Sequence, residues 1–176
     1  MTAPVVVFAV GNPSRGDDAL GPVLAERLRG WLTVAGLVDA VDVIEDFQLQ
    51  IEHALDLQGR ALVLFIDAGE GTLPPLSLRP TGPSPLASHS THALAPEAVL
   101  EVYRRTESVE PPPAFVLCVR GEDFELGAPL TAAAVERAGL AMDVLGELLA
   151  DCSPVAWLGV VDRLADGRKP PARGQA

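Results

Sequence analysis

The stretch VVVFAVGNPSRGDDALGPVLAERLRGWL, from Val5 to Leu32, predicts a strand, a sharp bend and a helix. It begins with six apolar residues, rich in valine, and this run predicts a strand buried on both faces, as in a parallel sheet. Gly11-Asn12-Pro13-Ser14 then breaks the strand. Pro22 suits the first turn of a following helix, because no backbone N–H is needed there. Leucines at helical spacing predict the buried face of that helix: Leu20, Leu24, Leu28 and Leu32.

A polar bend over residues 11–18 joins this strand to this helix and ends in two acids, Asp17 and Asp18. In an open α/β sheet, ligands bind just beyond the carboxyl ends of the strands. We therefore expect the rest of the chain to be organised around this bend. The two acids also have an ordinary explanation, since aspartates at a helix start cap N–H groups and stabilise the helix by about 0.5–2 kcal/mol. For the acids considered alone, both explanations stay open.

Strands and helices alternate along the rest of the chain, which predicts a three-layer α/β/α sandwich with a mostly parallel, twisted sheet. We expect one domain over residues 1–166 and a disordered tail over 167–176. Further strands are predicted over residues 38–44, 61–66, 76–79, 114–119 and 155–161, and helices over 49–57, from Pro96, and after a Thr131 cap. The last of these helices is expected to face inward with Val135, Ala138, Met142, Leu145 and Leu149.

Composition excludes several functional classes. Thirteen basic and twenty-four acidic side chains give a net charge of -11, and the only lysine is Lys169, which argues against a nucleic-acid or anionic-membrane partner. No apolar run approaches the roughly 20 residues of a membrane span, and no basic segment opens a signal peptide. Cys118 and Cys152 fit reduced, buried thiols better than a disulfide framework. These features predict a cytoplasmic protein.

Asp67 follows directly after a fully apolar run, so it is expected at the carboxyl edge of the sheet, where Asp18 also lies. Two carboxylates brought together repel unless a cation or a proton lies between them. His92 ends a long proline-rich loop, of a kind that is often functional. A lone histidine there is more often a surface residue, but its imidazole would complete an oxygen and nitrogen site for a divalent metal. Asp18, Asp67 and His92 lie far apart in sequence, so no short-range ligand spacing identifies them as a metal site.

Several familiar sites are absent from the sequence. It contains no GxGxxG or GKS/GKT phosphate loop, no GxSxG elbow, and no thiol-protease signature around either cysteine. A phospho-acceptor receiver domain is a closer alternative, since it also has paired acids after its first strand and an aspartate after its third. Arg120 occupies the place where such a domain carries a lysine, and the bend before the acids is too long.

Four stretches, in consistent order between Val5 and Leu149, resemble the hydrogenase maturation proteases. They are GNPSRGDDALGPVLAERL, FIDAG, STHALAPEAVLEVYRR and RGEDFELGAPLTAAAVERAG. Within that family, FQLQIEHALDLQGRALVLFIDAG is similar to the branch that serves bidirectional, NAD-linked hydrogenases. The resemblance implies an α/β/α endopeptidase that removes a C-terminal extension from the large-subunit precursor of a nickel–iron hydrogenase after nickel insertion.

The same resemblance implies the site residues. The metal-contacting and catalytic residues fall on Asp18, Asp67 and His92, and the nickel they contact is expected to come from the precursor rather than to be permanently bound. The first stretch also matches the family's bend at Gly11, Asn12 and Gly16, and it contains Asp17 as a neighbouring acid. One departure is Ala19, where many members carry glycine.

Two questions stay open from the sequence. Either an aspartate acts as general base, or the metal polarises the scissile carbonyl or activates water. The same residues would also serve a non-catalytic docking or chaperone module that senses nickel in the large subunit without cutting it.

Overall fold

The computed structural model describes residues 2–84 and 94–167. Within these residues the chain forms five strands: β1 (Val5–Val10), β2 (Val41–Asp46), β3 (Leu62–Gly69), β4 (Leu76–Thr81) and β5 (Ala114–Arg120). It also forms four α-helices: α1 (Leu20–Ala35), α2 (Pro96–Glu107), α3 (Ala132–Ala150) and α4 (Pro154–Ala165). Two 3₁₀ helices cover Gly16–Ala19 and Ile51–Leu57. No helix of this described part is long and apolar enough to cross a membrane.

The strands form one sheet in the order β2-β1-β3-β5-β4. The first four are parallel to one another, and β4 pairs antiparallel with β5 at the edge. An edge position tolerates the proline of β4, Pro80, because proline cannot donate a ladder hydrogen bond. Receiver domains have the doubly wound parallel order 2-1-3-4-5. The antiparallel edge strand therefore argues against the receiver alternative.

Helices cover both faces of the sheet, which confirms the predicted α/β/α sandwich. On one face, α1, α3 and α4 pack against alternate residues of β1, β3 and β5. There the fully buried Trp157 donates from Nε1 to the Leu148 carbonyl at 2.8 Å and contacts the Phe115 ring. On the other face, α2 and the 3₁₀ helix Ile51–Leu57 cover Phe8 and Phe65, whose rings stack at 5.2 Å.

The predicted strand over residues 155–161 is wrong, because this segment lies in α4. Ser153 begins the helix by accepting a hydrogen bond from the Ala156 N–H at 3.2 Å, and Pro154 occupies the first turn. Trp157 and Val160 face the core at helical spacing, while Val155 is 80% exposed. The buried residues of this segment thus follow the period of a helix and not that of a strand.

Smaller differences concern the ends and faces of elements. β2 begins at Val41 rather than at residue 38, and β3 continues through Asp67 to Gly69, because it pairs there with β5. Thr131 caps α3 as predicted, by accepting from the Ala134 N–H at 3.1 Å. Ala138, Leu145 and Leu149 face the core as predicted, and Met142 packs against it partly buried, whereas Val135 is 47% exposed and Ala134 is buried instead. Of the predicted tail, residues 168–176 lie outside the described part of the chain.

Candidate active site

The bend after β1 fixes the position of Asp18. Gly11 has φ +150°, and a Cβ atom there would collide with the Asp18 carbonyl oxygen, so the close turn requires glycine. The Asn12 N–H donates to Asp18 Oδ2 at 2.9 Å, and the Asn12 side chain accepts from the Ser14 N–H. Gly16, with φ +52°, allows the bend to approach the Asp123 carbonyl. These contacts hold the bend, and with it the Asp18 carboxylate, in one position.

Asp17 is fully buried and does not line the cleft that contains Asp18. Its carboxylate accepts from the N–H groups of Glu122, Asp123 and Thr131 and from the Thr131 hydroxyl, at 2.8–3.3 Å. Burial alone raises the pKa of this carboxyl, but the four hydrogen bonds outweigh it and hold the pKa below its ordinary value. Neither acid caps α1, which has no side-chain cap. Asp17 instead ties the bend to the connection after β5.

Asp18 and Asp67 line the same cleft, about 660 Å³ in volume, at the carboxyl edge of β1 and β3. Asp67 is open to water on the cleft side, but the walls around it remove much of its hydration. This burial raises the pKa of Asp67 from 3.8 to about 6, against a hydrogen bond from the Ala68 N–H that lowers it, and the charge of Asp18 raises it further. The two predicted acids therefore lie close enough to repel each other.

The cleft has walls of different character. On the β2 side stand Phe47, Gln48 and Leu49, with the Phe47 side chain 65% exposed. On the other side stand β4 and the start of α2, including Arg79. Sequence reasoning missed Arg79, although the alternation in Leu76-Ser77-Leu78-Arg79 predicts one polar face for this strand.

Cys118 lies on β5 directly beside Asp67 in the sheet register. Its Sγ is 2.8 Å from the Thr72 hydroxyl, and burial raises the pKa of the thiol, so Cys118 is protonated at neutral pH. Both cysteines are free, but the prediction that both are buried is wrong, because Cys118 is only partly buried and Cys152 is exposed. Cys118 therefore helps to form the floor of the cleft as a neutral group.

The third predicted residue, His92, lies outside the described residues, as does its neighbour His89. Within residues 2–84 and 94–167, no group of three or more His, Cys, Asp and Glu side chains is arranged to hold a metal ion. The structure thus brings together two of the three predicted site residues, Asp18 and Asp67.

The fold has clear neighbours among solved structures. The NiFe hydrogenase maturation protease HycI from Thermococcus kodakarensis KOD1 is 22% identical, with a TM-score of 0.61 over 85% of this chain and 94% of that one. The hydrogenase maturating endopeptidase HybD from E. coli is 20% identical, with a TM-score of 0.62 over 83% and 92%. A hydrogenase 2 maturation peptidase from a Thaumarchaeota archaeon is 25% identical, with a TM-score of 0.59 over 83% and 97%. No protein-family model matches the sequence, and no curated protein matches it.

Proposed function

We propose that this chain is a hydrogenase maturation endopeptidase, which cuts the C-terminal extension from the large-subunit precursor of a nickel–iron hydrogenase. The observation that carries the proposal is the carboxylate pair, Asp18 and Asp67, in an open cleft at the sheet edge. The fold shared with peptidases of this kind supports it. The similarity of residues 47–69 to the NAD-linked branch favours a bidirectional, NAD-linked hydrogenase as the source of the precursor.

The carboxylate pair suits a substrate that brings its own cation. Two ionised acids facing each other are unfavourable, and a divalent ion between them removes the repulsion. We infer that nickel held by the precursor is this ion and that Asp18 and Asp67 contact it, with His92 as the third contact. Carboxylate and imidazole ligands are compatible with nickel. Such an ion acts as a Lewis acid on the scissile carbonyl or on a water molecule.

The protein's own contribution is positioning and charge. The Asn12 N–H holds one oxygen of Asp18, so this carboxylate meets the substrate in a fixed orientation. Asp67 has a pKa of about 6, so at neutral pH it is mostly ionised and ready to contact a cation. The same pKa lies in the range in which a carboxylate accepts a proton from water efficiently. The cleft is open to solvent, so an extended precursor segment has access to both acids.

The test is processing of a nickel-loaded precursor by Asp18→Asn and Asp67→Asn variants, measured by intact mass spectrometry. Both variants are expected to keep the fold by circular dichroism and to lose cleavage below detection. The matched control is Asp39→Asn. Asp39 is exposed and lies just before β2, at the amino ends of the parallel strands, whereas the cleft lies at their carboxyl ends. Normal cleavage by the Asp18 and Asp67 variants would refute the assignment. Tight binding of the precursor by the unmutated protein without any change in mass would favour the docking module instead.

A further inference from the structure

The cleft carries opposite charges on its two sides. Asp18 and Asp67 lie where β1 and β3 end, whereas Arg79 lies on the β4 wall. Among the described residues that line the cleft, Arg79 is the only lysine, arginine or histidine. In a chain with a net charge of -11, a cationic side chain in the candidate active site requires an explanation.

The sheet register gives the distance between the Cα atoms of Asp67 and Arg79. Asp67 pairs with Cys118, which pairs with Ser77 on β4, and Arg79 lies two residues further along the same face. With strands about 4.8 Å apart and about 3.4 Å per residue, the Arg79 Cα atom lies about 12 Å from that of Asp67. The pKa of the Cys118 thiol reflects this arrangement. It is raised by burial, lowered by the Thr72 hydrogen bond, raised by the charge of Asp67 and lowered by that of Arg79.

A carboxylate on α2 holds Arg79 in place. Arg79 Nη2 lies 2.9 Å from Glu97 Oε1, which also accepts from the Thr81 hydroxyl at 2.7 Å. Burial raises the pKa of Glu97, but hydrogen bonds from Thr81 and Arg79 outweigh it and hold the pKa below its ordinary value. Glu97 therefore stays ionised at neutral pH and orients the guanidinium.

The guanidinium keeps donors for a ligand. Within residues 2–84 and 94–167, the ion pair with Glu97 uses Nη2, and the Arg79 side chain is 52% exposed. Its planar fork of five N–H groups matches the geometry of a second carboxylate. An oriented arginine loses less side-chain freedom when it binds such a group.

We propose that Arg79 forms an anion subsite, which binds an aspartate or glutamate side chain of the precursor a few residues from the cleaved bond. This inference rests on the proposed function. An extended peptide rises about 3.4 Å per residue, and the arginine side chain covers part of the 12 Å separation. The acidic residue is therefore expected about two to four residues from the bond that lies at Asp18 and Asp67. The subsite would fix the register of the precursor in the cleft.

The first experiment compares kcat and KM for Arg79→Gln and Glu97→Gln. Loss of the subsite is expected to raise KM about tenfold or more, since a hydrogen bond to a charged group is being removed, and to leave kcat within about twofold. Glu97→Gln removes the group that orients Arg79 but keeps the arginine, so its KM is expected to rise by clearly less than that of Arg79→Gln. An equal rise in KM for both variants would show a merely structural ion pair and overturn the proposal.

The second experiment locates the partner residue. Precursors carrying Glu, Gln or Lys at each position two to four residues from the cleaved bond are processed by the unmutated protein and by Arg79→Glu. At one position the unmutated protein is expected to prefer Glu and the variant to prefer Lys. The same ranking by both proteins at every position would overturn the proposal. If the unmutated protein cleaves nothing, the proposed function fails. Binding of the same precursors, measured by fluorescence anisotropy, then still tests the subsite by the same reversal of preference.

Discussion

Asp17 and Asp18 are adjacent acids with different tasks, and replacing Asp17 by asparagine tests this difference. Asp17 Oδ1 accepts from the Thr131 N–H, while Oδ2 accepts from the N–H groups of Glu122 and Asp123 and from the Thr131 hydroxyl. An asparagine has one carbonyl oxygen for these four donors. With that oxygen at the Oδ2 position, its amide group faces the Thr131 N–H, so two donors meet in a buried place.

The expected cost follows from these contacts. Leaving the buried Thr131 N–H without an acceptor costs about 1–3 kcal/mol. The three remaining hydrogen bonds lose their charge, and the two shorter ones weaken by about 1 kcal/mol each. Asp17→Asn should therefore lower the free energy of unfolding by about 3–5 kcal/mol. For a chain of this size, 1 kcal/mol corresponds to about 2–4 °C in Tm, which predicts a fall of about 6–20 °C.

The assay is urea unfolding at pH 7, followed by circular dichroism, with Asp18→Asn as the matched control. Asp18 is only partly buried, and among the described residues its side chain accepts one hydrogen bond, from the Asn12 N–H, so its replacement should cost about 1 kcal/mol or less. An Asp17→Asn variant within about 1 kcal/mol of the unmutated protein would refute the structural role given to this carboxylate.

Three further predictions follow from single sites. Below pH 6 the processing rate should fall about tenfold per pH unit, because Asp67, with a pKa of about 6, must be ionised to contact the cation; a flat rate down to pH 5 would contradict this. Between pH 3.8 and about 6 the unmutated protein should lose stability as the pH rises, because its folded Asp67 carboxyl still holds the proton that the unfolded one has lost. Asp67→Asn lacks this loss, so its stability relative to the unmutated protein should rise over the same range; pH titration of urea midpoints measures this. Gly11→Ala should destabilise the bend through its collision with the Asp18 carbonyl, whereas the control Gly30→Ala, in an open helical position, should stabilise by about 0.5–1 kcal/mol; equal thermal midpoints for the two would argue against the bend geometry.

Much of the fold is predictable from local patterns. β1, β3 and β5 contain continuous apolar runs because both of their faces are buried. α1 has leucines at helical spacing because one of its faces is buried. The segment over residues 155–161 fails, since its apolar residues suit a buried strand and a buried helix equally well. The deciding signal is the Ser153-Pro154 pair, which begins a helix.

The candidate site is only partly predictable for a physical reason. Asp18 and Asp67 each come after the apolar run of a strand, β1 or β3, so the rule for parallel sheets brings them to one edge. The role of Asp17 depends on donors more than 100 residues away in sequence, and no local pattern contains them. Arg79 lies in the cleft because β4 pairs antiparallel with β5. This pairing is non-local, and no pattern within β4 itself indicates it.

The proposed endopeptidase function is tested most directly by the mass of a hydrogenase large-subunit precursor before and after incubation with this protein. The precursor is prepared nickel-loaded and nickel-free, and both chains are weighed by intact mass spectrometry. We expect that only the nickel-loaded precursor loses a C-terminal peptide, and that Asp67→Asn leaves it intact. No loss of mass from several nickel-loaded precursors, or equal loss with and without nickel, would contradict this expectation.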